Sequence, residues 1–453
     1  MKMNCLTGKK MMLAMAIAFV CNGLQAQELD SVVISLNDAL EIAFSENPTI
    51  KVADKEIELK KEARKEAYAG LFPEISATGA YQRAIKKQTM VMDIPGQGPQ
   101  TLQVGSDNTY NGGINISLPI FAPALYKSIN LTKADVDLAV EKSRSSKLDL
   151  INQVTKAYYQ LLLAQDSYLV LKKSYEQAEA NYEVVNAKYQ QGTVSEYDKI
   201  RAEVQMRNLK PSVVSARNGV NLANIQLRVL IGIDTDIPLK VRGNLRDYET
   251  IMFEERLNRN NIDLEYNSDL RQLDLNSELL RRSLKVQQTN FMPTLGASFN
   301  YSYMSMNNDF RIGHYRWYPY STLGVSLTIP LFKASNFTKV KQTKIQMQQL
   351  QYNRINAERQ LQMQATSYID NMNASTEQVL SNKESVLQAE KGRQIAEKRY
   401  DVGMGTILEL NDSEIALTQA QLTYNQSIYD YLTARADLEQ VLGKEDVIYQ
   451  IEK

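Results

Sequence analysis

Two carboxylates, Glu409 and Asp412, stand three residues apart in a stretch with helical periodicity, so they share one helix surface. A pair like this can draw cations and resist anions where copies of it converge. The plainer reading is a solvated helix face. Most other acidic residues lie on heptad exteriors and keep helices soluble. His314 is the only histidine and falls in an expected outer loop. Neither a Ser-His-Asp triad nor a histidine metal cluster can be built from one chain. Gly403-Met404-Gly405-Thr406 looks like a phosphate loop, but no lysine follows it. No metal site and no cofactor are expected, and the chain does not read as an enzyme.

What remains is transport or scaffolding, and the bulk sequence narrows that choice. Lys9 and Lys10 precede an apolar run from Met11 to Val20, and Leu24-Gln25-Ala26 offers a small residue for cleavage. Residues 1–26 are therefore expected to be a signal peptide. Cys21 ends the apolar run, but the bulky Phe19 and Val20 before it disfavour lipidation. Cys5 and Cys21 are the only cysteines, so both leave with the leader. Basic and acidic residues balance at 52 each, and losing Lys2, Lys9 and Lys10 leaves a small negative charge with no basic block. Nucleic acid is an unsuitable partner. Beyond the leader no stretch approaches the roughly 20 apolar residues of a spanning helix. A crossing of the membrane would have to be made by strands.

A duplication organises the chain. Ile114-x-Ile-x-Leu118-Pro119-x-Phe121 returns 211 residues later as Val325-x-Leu-x-Ile329-Pro330-x-Phe332. At the same offset Tyr189, Gly192, Ser195 and Asp198 return as Tyr400, Gly403, Thr406 and Glu409. Upstream, Leu71-x-Pro73 matches Phe291-x-Pro293 at an offset of 220, so the first copy holds nine extra residues, expected in a loop. The expected organisation is a first repeat over 27–232, a linker over 233–249 and a second repeat over 250–453.

Within each repeat two periodicities alternate. From Val154 through Ala157, Leu161 and Ala164 to Tyr189, apolar or small residues keep an unbroken 3-4 spacing, the seam of a coiled coil. That helix is expected to start soon after Pro123 and to end near Gln190, about 100 Å at about 1.5 Å per residue. A second seam runs from Leu209 to Leu230 and recurs from Ala420 to Val441. Gly192 and Gly403 mark the turns between seams. Pro211 predicts a kink or an end-to-end join of two helices.

The proline motifs enclose period-2 segments instead. Leu295, Ala297, Phe299, Tyr301 and Tyr303 alternate with small polar residues, as do Leu323, Val325, Leu327 and Ile329. Weaker counterparts run from Ile75 to about Ala84 and from Tyr110 to Leu118, with a polar, turn-rich loop expected over 88–108. Such strands have the length needed to cross a bilayer at a tilt. Aromatic residues crowd their ends at Tyr110, Tyr301, Tyr303, Tyr315, Trp317, Tyr318 and Tyr320, where a membrane interface favours amphipathic rings. Soluble hairpins with aromatic cores are the alternative. Four strands cannot close a barrel alone, and lipid tolerates no open edge, so closure would demand two or three copies.

These motifs resemble the TolC family of outer-membrane efflux proteins across essentially the whole mature chain. Ser35-Leu36-x-x-Ala39-Leu40-x-x-Ala43-x3-Asn47-Pro48 looks like the family's N-terminal helix signature, with a degraded second copy near 250–261. The Tyr-x-x-Gly-x-x-Ser/Thr-x-x-Asp/Glu motif is the more specific signal. The resemblance implies a mainly α protein with membrane β: long antiparallel coiled coils plus four transmembrane strands per chain. It further implies a homotrimer with a twelve-stranded barrel and a helical periplasmic tunnel. Such a duct of the Gram-negative outer membrane, set in lipid, would serve a periplasmic adaptor protein and an inner-membrane pump. Glu409 and Asp412 would then ring the periplasmic aperture, and Asp198 with Tyr400 would supply gate contacts near the Gly192 and Gly403 tips. Gly405 occupies the family's gate-arginine position, so Arg399 or Lys398 would have to stand in for it. A periplasmic coiled-coil scaffold without a pore is the competing expectation.

Overall fold

The protein was studied as a computed structural model, which describes residues 32–94, 98–234, 239–254 and 262–444. The expected leader at 1–26, with Cys21, lies outside them, as does most of 250–261.

The duplication has an architectural counterpart. Helix α3 (Pro123–Gln190) and helix α6 (Ala334–Asp401) each have 68 residues; α4 (Glu196–Ile231) and α7 (Ile407–Leu442) each have 36. Each long helix forms a hairpin with the helix after it, and α3 also packs on α7. The seam residues explain this: Val154, Ala157, Leu161, Leu227, Tyr431 and Leu438 are all buried in one continuous core. Their 3-4 spacing keeps one stripe of each rod on its neighbour over many turns. Two shorter helices, α2 (Pro48–Ala69) and α5 (Ser268–Gln288), both lie along α3, and α5 also packs on α6.

The second copy of the N-terminal signature falls at a different place from the one expected. Asn47 caps α2 by accepting from Thr49 N and donates to Leu230 O, at 2.7 Å each. Asn267 does the same for α5, accepting from Leu270 N and donating to Val441 O. Its counterpart is therefore at 267, following the 220-residue offset of the proline motifs. The missing proline hid it, since capping needs only the asparagine. Gly232 and Gly443 end α4 and α7 in the left-handed region, at φ 77° and 66°, and a Cβ on either would press into the chain just before these asparagines.

Pro211 lies inside an unbroken α4 rather than at a join. It is exposed, so the carbonyl it leaves unpaired can be hydrated. Within the expected linker, β6 (Leu239–Val241) pairs in parallel with β1 (Val32–Ile34), which leads into α1 (Leu36–Glu46), and Leu245 is fully buried.

Four strands form one antiparallel sheet: β2 (Glu74–Arg83), β5 (Asn108–Phe121), β7 (Thr294–Asn307) and β8 (Tyr318–Thr328), in the order β2-β5-β7-β8. The first copy's strands thus pair with the second's. The segment expected as a loop is instead a second hairpin, β3 (Gln88–Ile94) with β4 (Gly98–Val104). Register places Met90 against Leu102 and Gln88 against Val104, so a short period-2 pattern was present beneath the polar composition. Among the described residues, no helix is long and apolar enough to cross a membrane.

Candidate functional site

The sheet has two chemically different faces, fixed by register. On one face Ile75 pairs with Ile116, Ile116 with Phe299 and Phe299 with Leu323; a parallel row joins Leu118, Ala297 and Val325. Leu323, Val325 and Leu327 are strongly exposed. On the other face Ser76, Asn115, Asn300 and Thr322 form one row, and Ser117, Ser298 and Gly324 another. Apolar side chains that meet no protein on one face, with small polar ones on the other, suit a wall between lipid and water. Among the described residues, β2 and β8 each have one edge without a partner strand.

Aromatic rings gather at both ends of the apolar face. At the loop end the ring of Tyr110 lies 4.7 Å from Tyr81, 5.3 Å from Tyr315 and 6.4 Å from Trp317. Tyr301 and Tyr303 form an edge-to-face pair on the same face, centroids 5.5 Å apart. Tyr318 and Tyr320, also expected at the interface, do not join them: they pair with Met304 and Ser302 and stand on the opposite, polar face of the sheet. A tyrosine at a strand end has two possible faces, and only register chooses between them. The other end carries a belt that sequence reading passed over, with Phe291 against Phe337 at 4.9 Å and Phe121 near Tyr126. Phe121, Phe291 and Phe332 flank the strand prolines, which was the available signal.

The coil tips lie far from the sheet along the helices. Gly192 and Gly403 turn the chain at φ 71° and 74°. Ser195 caps α4 by accepting from Asp198 N at 3.2 Å, and its own backbone N–H donates to the Asp198 carboxylate to close a capping box. Thr406 likewise caps α7 by accepting from Glu409 N. The repeated Gly-x-x-Ser/Thr-x-x-Asp/Glu motif is thus a turn followed by a helix start. A small core of Val185, Ala202, Ile407 and Leu410, with Tyr400 packed on it, ties the two hairpins together.

Tyr400 and Asp198 are close enough for the carboxylate to act on the phenol, but no hydrogen bond joins them. Burial first, and then the charges of Asp198 and Asp401, push the Tyr400 phenol up. Its hydroxyl has no hydrogen-bond partner among the described residues, while Lys188 Nζ sits 4.7 Å from the ring centre. Glu409 Oε2 lies 3.3 Å from the guanidinium of Arg399, whereas Asp412 is exposed and makes no ion pair among the described residues. A Cβ on Gly405 would come 3.1 Å from Arg399 Cβ and from Tyr400 N, so this turn is tighter than one built around a side chain. Arg399 also donates to the Met404 carbonyl across this turn at 3.2 Å. Deeper in the bundle Glu414 is buried and accepts from Asn181 Nδ2 at 2.6 Å, a contact the heptad pattern gave no sign of. No cluster of metal-ligating residues exists among the described residues.

Residues 39–233 and 262–444 match the family model described as "Outer membrane efflux protein". Among curated proteins, the chain is 22% identical over 84% of its length to outer membrane protein TolC of Vibrio cholerae, covering 84% of that protein. It is 25% identical to TolC of Escherichia coli, over 76% of this chain and 74% of that one. The alkaline protease secretion protein AprF of Pseudomonas aeruginosa is 22% identical over 91% of this chain and 85% of its own. Among solved structures, the Campylobacter jejuni CmeC outer membrane channel superposes with a TM-score of 0.71 at 19% identity, covering 92% of this chain and 88% of that one. The Vibrio cholerae outer membrane protein VceC gives 0.68 at 15% identity, over 90% and 96%.

Proposed function

Because this chain belongs to the outer membrane efflux protein family, it is an exit duct of the Gram-negative outer membrane, and we propose that three copies build it. In this reading each copy gives four strands to a twelve-stranded barrel and its coiled coils to a periplasmic tunnel. The observation that carries it is the two-faced sheet with two unpaired edges. An edge exposed to lipid costs several kcal/mol for each unmade hydrogen bond, so β8 of one copy pairs with β2 of the next. The helices support the same head-to-tail joining. Across each chain they run α4-α3-α7-α6. The outermost helices expose apolar side chains, among them Ile200, Val204 and Val214 on α4 and Ile345, Leu387 and Ile395 on α6. Heterologous joining of two such surfaces closes into a ring.

The duct is passive: an inner-membrane pump with a periplasmic adaptor supplies the energy and selects small molecules or peptides. The chain performs no catalysis and needs no cofactor. The repeats divide it at 27–232 and 250–453, and the signal segment 1–26 is removed on export. Glu409 and Asp412 line the periplasmic aperture, Asp198 and Tyr400 flank it, and the turns at Gly192 and Gly403 meet the adaptor. Tyr110, Tyr301, Tyr303 and Trp317 lie at the outer membrane interface. Native mass spectrometry of the detergent-extracted outer-membrane protein tests this. A species near three times the mature chain is expected. A monomer recovered from the soluble periplasm would instead favour a scaffold without a pore.

A further inference from the structure

Tyr318 and Tyr320 break the pattern of the polar face. Their row neighbours across the sheet are modest: Ser302 and Gly113 beside Tyr320, Met304 and Asn111 beside Tyr318. Rows closer to the helices carry Ser, Thr, Asn and Gly, with Glu74 on β2, and no aromatic ring. Two residues apart on one strand, the tyrosines are about 7 Å apart and point the same way. Tyr318 is 60% exposed and projects from the sheet, whereas Tyr320, 38% exposed, leans across it. Asn111 Nδ2 donates to the Tyr320 hydroxyl at 3.3 Å, which steers that ring over the neighbouring strands. None of these four neighbours carries a charge, so ring faces set the chemistry here.

We propose that Tyr318 and Tyr320 form an aromatic contact zone in the outer part of the lumen, which narrows the path and stacks on flat aromatic cations in transit. The proposal rests on the barrel reading above, under which the polar face lines the lumen. Threefold closure brings six such rings together, three at each of two adjacent levels. A ring face attracts a cation through its quadrupole and a flat solute through stacking, and it does both without a fixed charge that would trap the solute. The zone therefore distinguishes solutes by flatness as well as by size.

Single-channel recording of the full mature protein in planar bilayers tests this, with ethidium as the flat cation and tetrabutylammonium as a non-aromatic one. Tyr318→Ser with Tyr320→Ser should raise the open conductance and shorten ethidium block about tenfold, leaving tetrabutylammonium block unchanged. Tyr318→Phe with Tyr320→Phe should keep ethidium block, and Tyr301→Ser with Tyr303→Ser on the apolar face should not alter it. Unchanged ethidium block in the first variant would overturn the proposal, as would an equal loss for both cations. If the serine variant does not assemble, Tyr318→Cys treated with a bulky thiol reagent must lower the current. No effect of the reagent would overturn it equally. A wild-type chain that forms no channel would defeat the barrel reading itself, and this inference with it.

Discussion

Asn267 joins two helices at once: its Oδ1 caps α5 while its Nδ2 donates to the carbonyl of Val441 at 2.7 Å, near the C-terminus of α7. Each contact satisfies a backbone group that a helix end leaves without a partner. Asn47 and Leu230 repeat the arrangement in the first copy. Asn267→Ala should cost about 2 kcal/mol, about 1 for the cap and about 1 for the carbonyl. Asn267→Ser should cost less, because a serine hydroxyl still caps the helix. Thermal unfolding followed by helical circular dichroism reads both, and equal midpoints for the wild type and the alanine variant would refute the linkage.

The two faces of the sheet predict opposite tolerances. Leu323→Arg places a charge on the apolar face and should cost about 2–4 kcal/mol if it lies near mid-bilayer, with loss of assembled protein from the outer membrane. Thr322→Arg, one residue away on the polar face, should assemble normally and alter conductance only. Equal membrane yields of the two variants would mean that the apolar face does not meet lipid.

Ion selectivity at the tip should depend on the two carboxylates unequally. Arg399 already balances Glu409 at 3.3 Å, so Asp412 holds the uncompensated charge. Asp412→Asn should weaken cation preference more than Glu409→Gln, and Arg399→Ala should strengthen it. Reversal potentials across a salt gradient measure this; the opposite ranking would show that Glu409 is the exposed charge. Stability is a poor readout here, since both partners of the pair are about half exposed.

Glu414 predicts a pH dependence of known sign. Burial raises its carboxyl above the ordinary value; Asn181 and Arg393 oppose this, and Glu397 adds to it. A raised folded-state pKa means that the folded form holds the proton more tightly. The associated stability is complete below the unfolded glutamate range and is lost as pH rises through the folded value. Glu249 runs the other way: burial works against its charge, but Lys383 and Tyr424 outweigh it and hold the carboxyl below the usual range. Glu414→Gln should therefore remove the loss of stability that sets in as pH rises above the unfolded glutamate range, while leaving the Glu249 contribution at lower pH. A wild-type stability curve identical to that of the variant would remove Glu414 as the cause.

The sequence alone determined whatever repeats along the chain. Heptad spacing set the rods from Pro123 to Gln190 and their copies, alternation set the strands near Ile75 and Leu295, and the 211-residue offset predicted equal helices. Each of these is a local period that shows in consecutive residues. Tertiary structure decided what depends on partners far apart in the chain. Only pairing 209 residues apart put Tyr320 beside Asn111 on the polar face. Only the fold of the tip set Arg399 against Glu409 and left the Tyr400 hydroxyl without Asp198. The position of the second cap, Asn267, emerged from its bond to Val441, because one hydrogen bond between distant residues leaves no periodic trace in sequence.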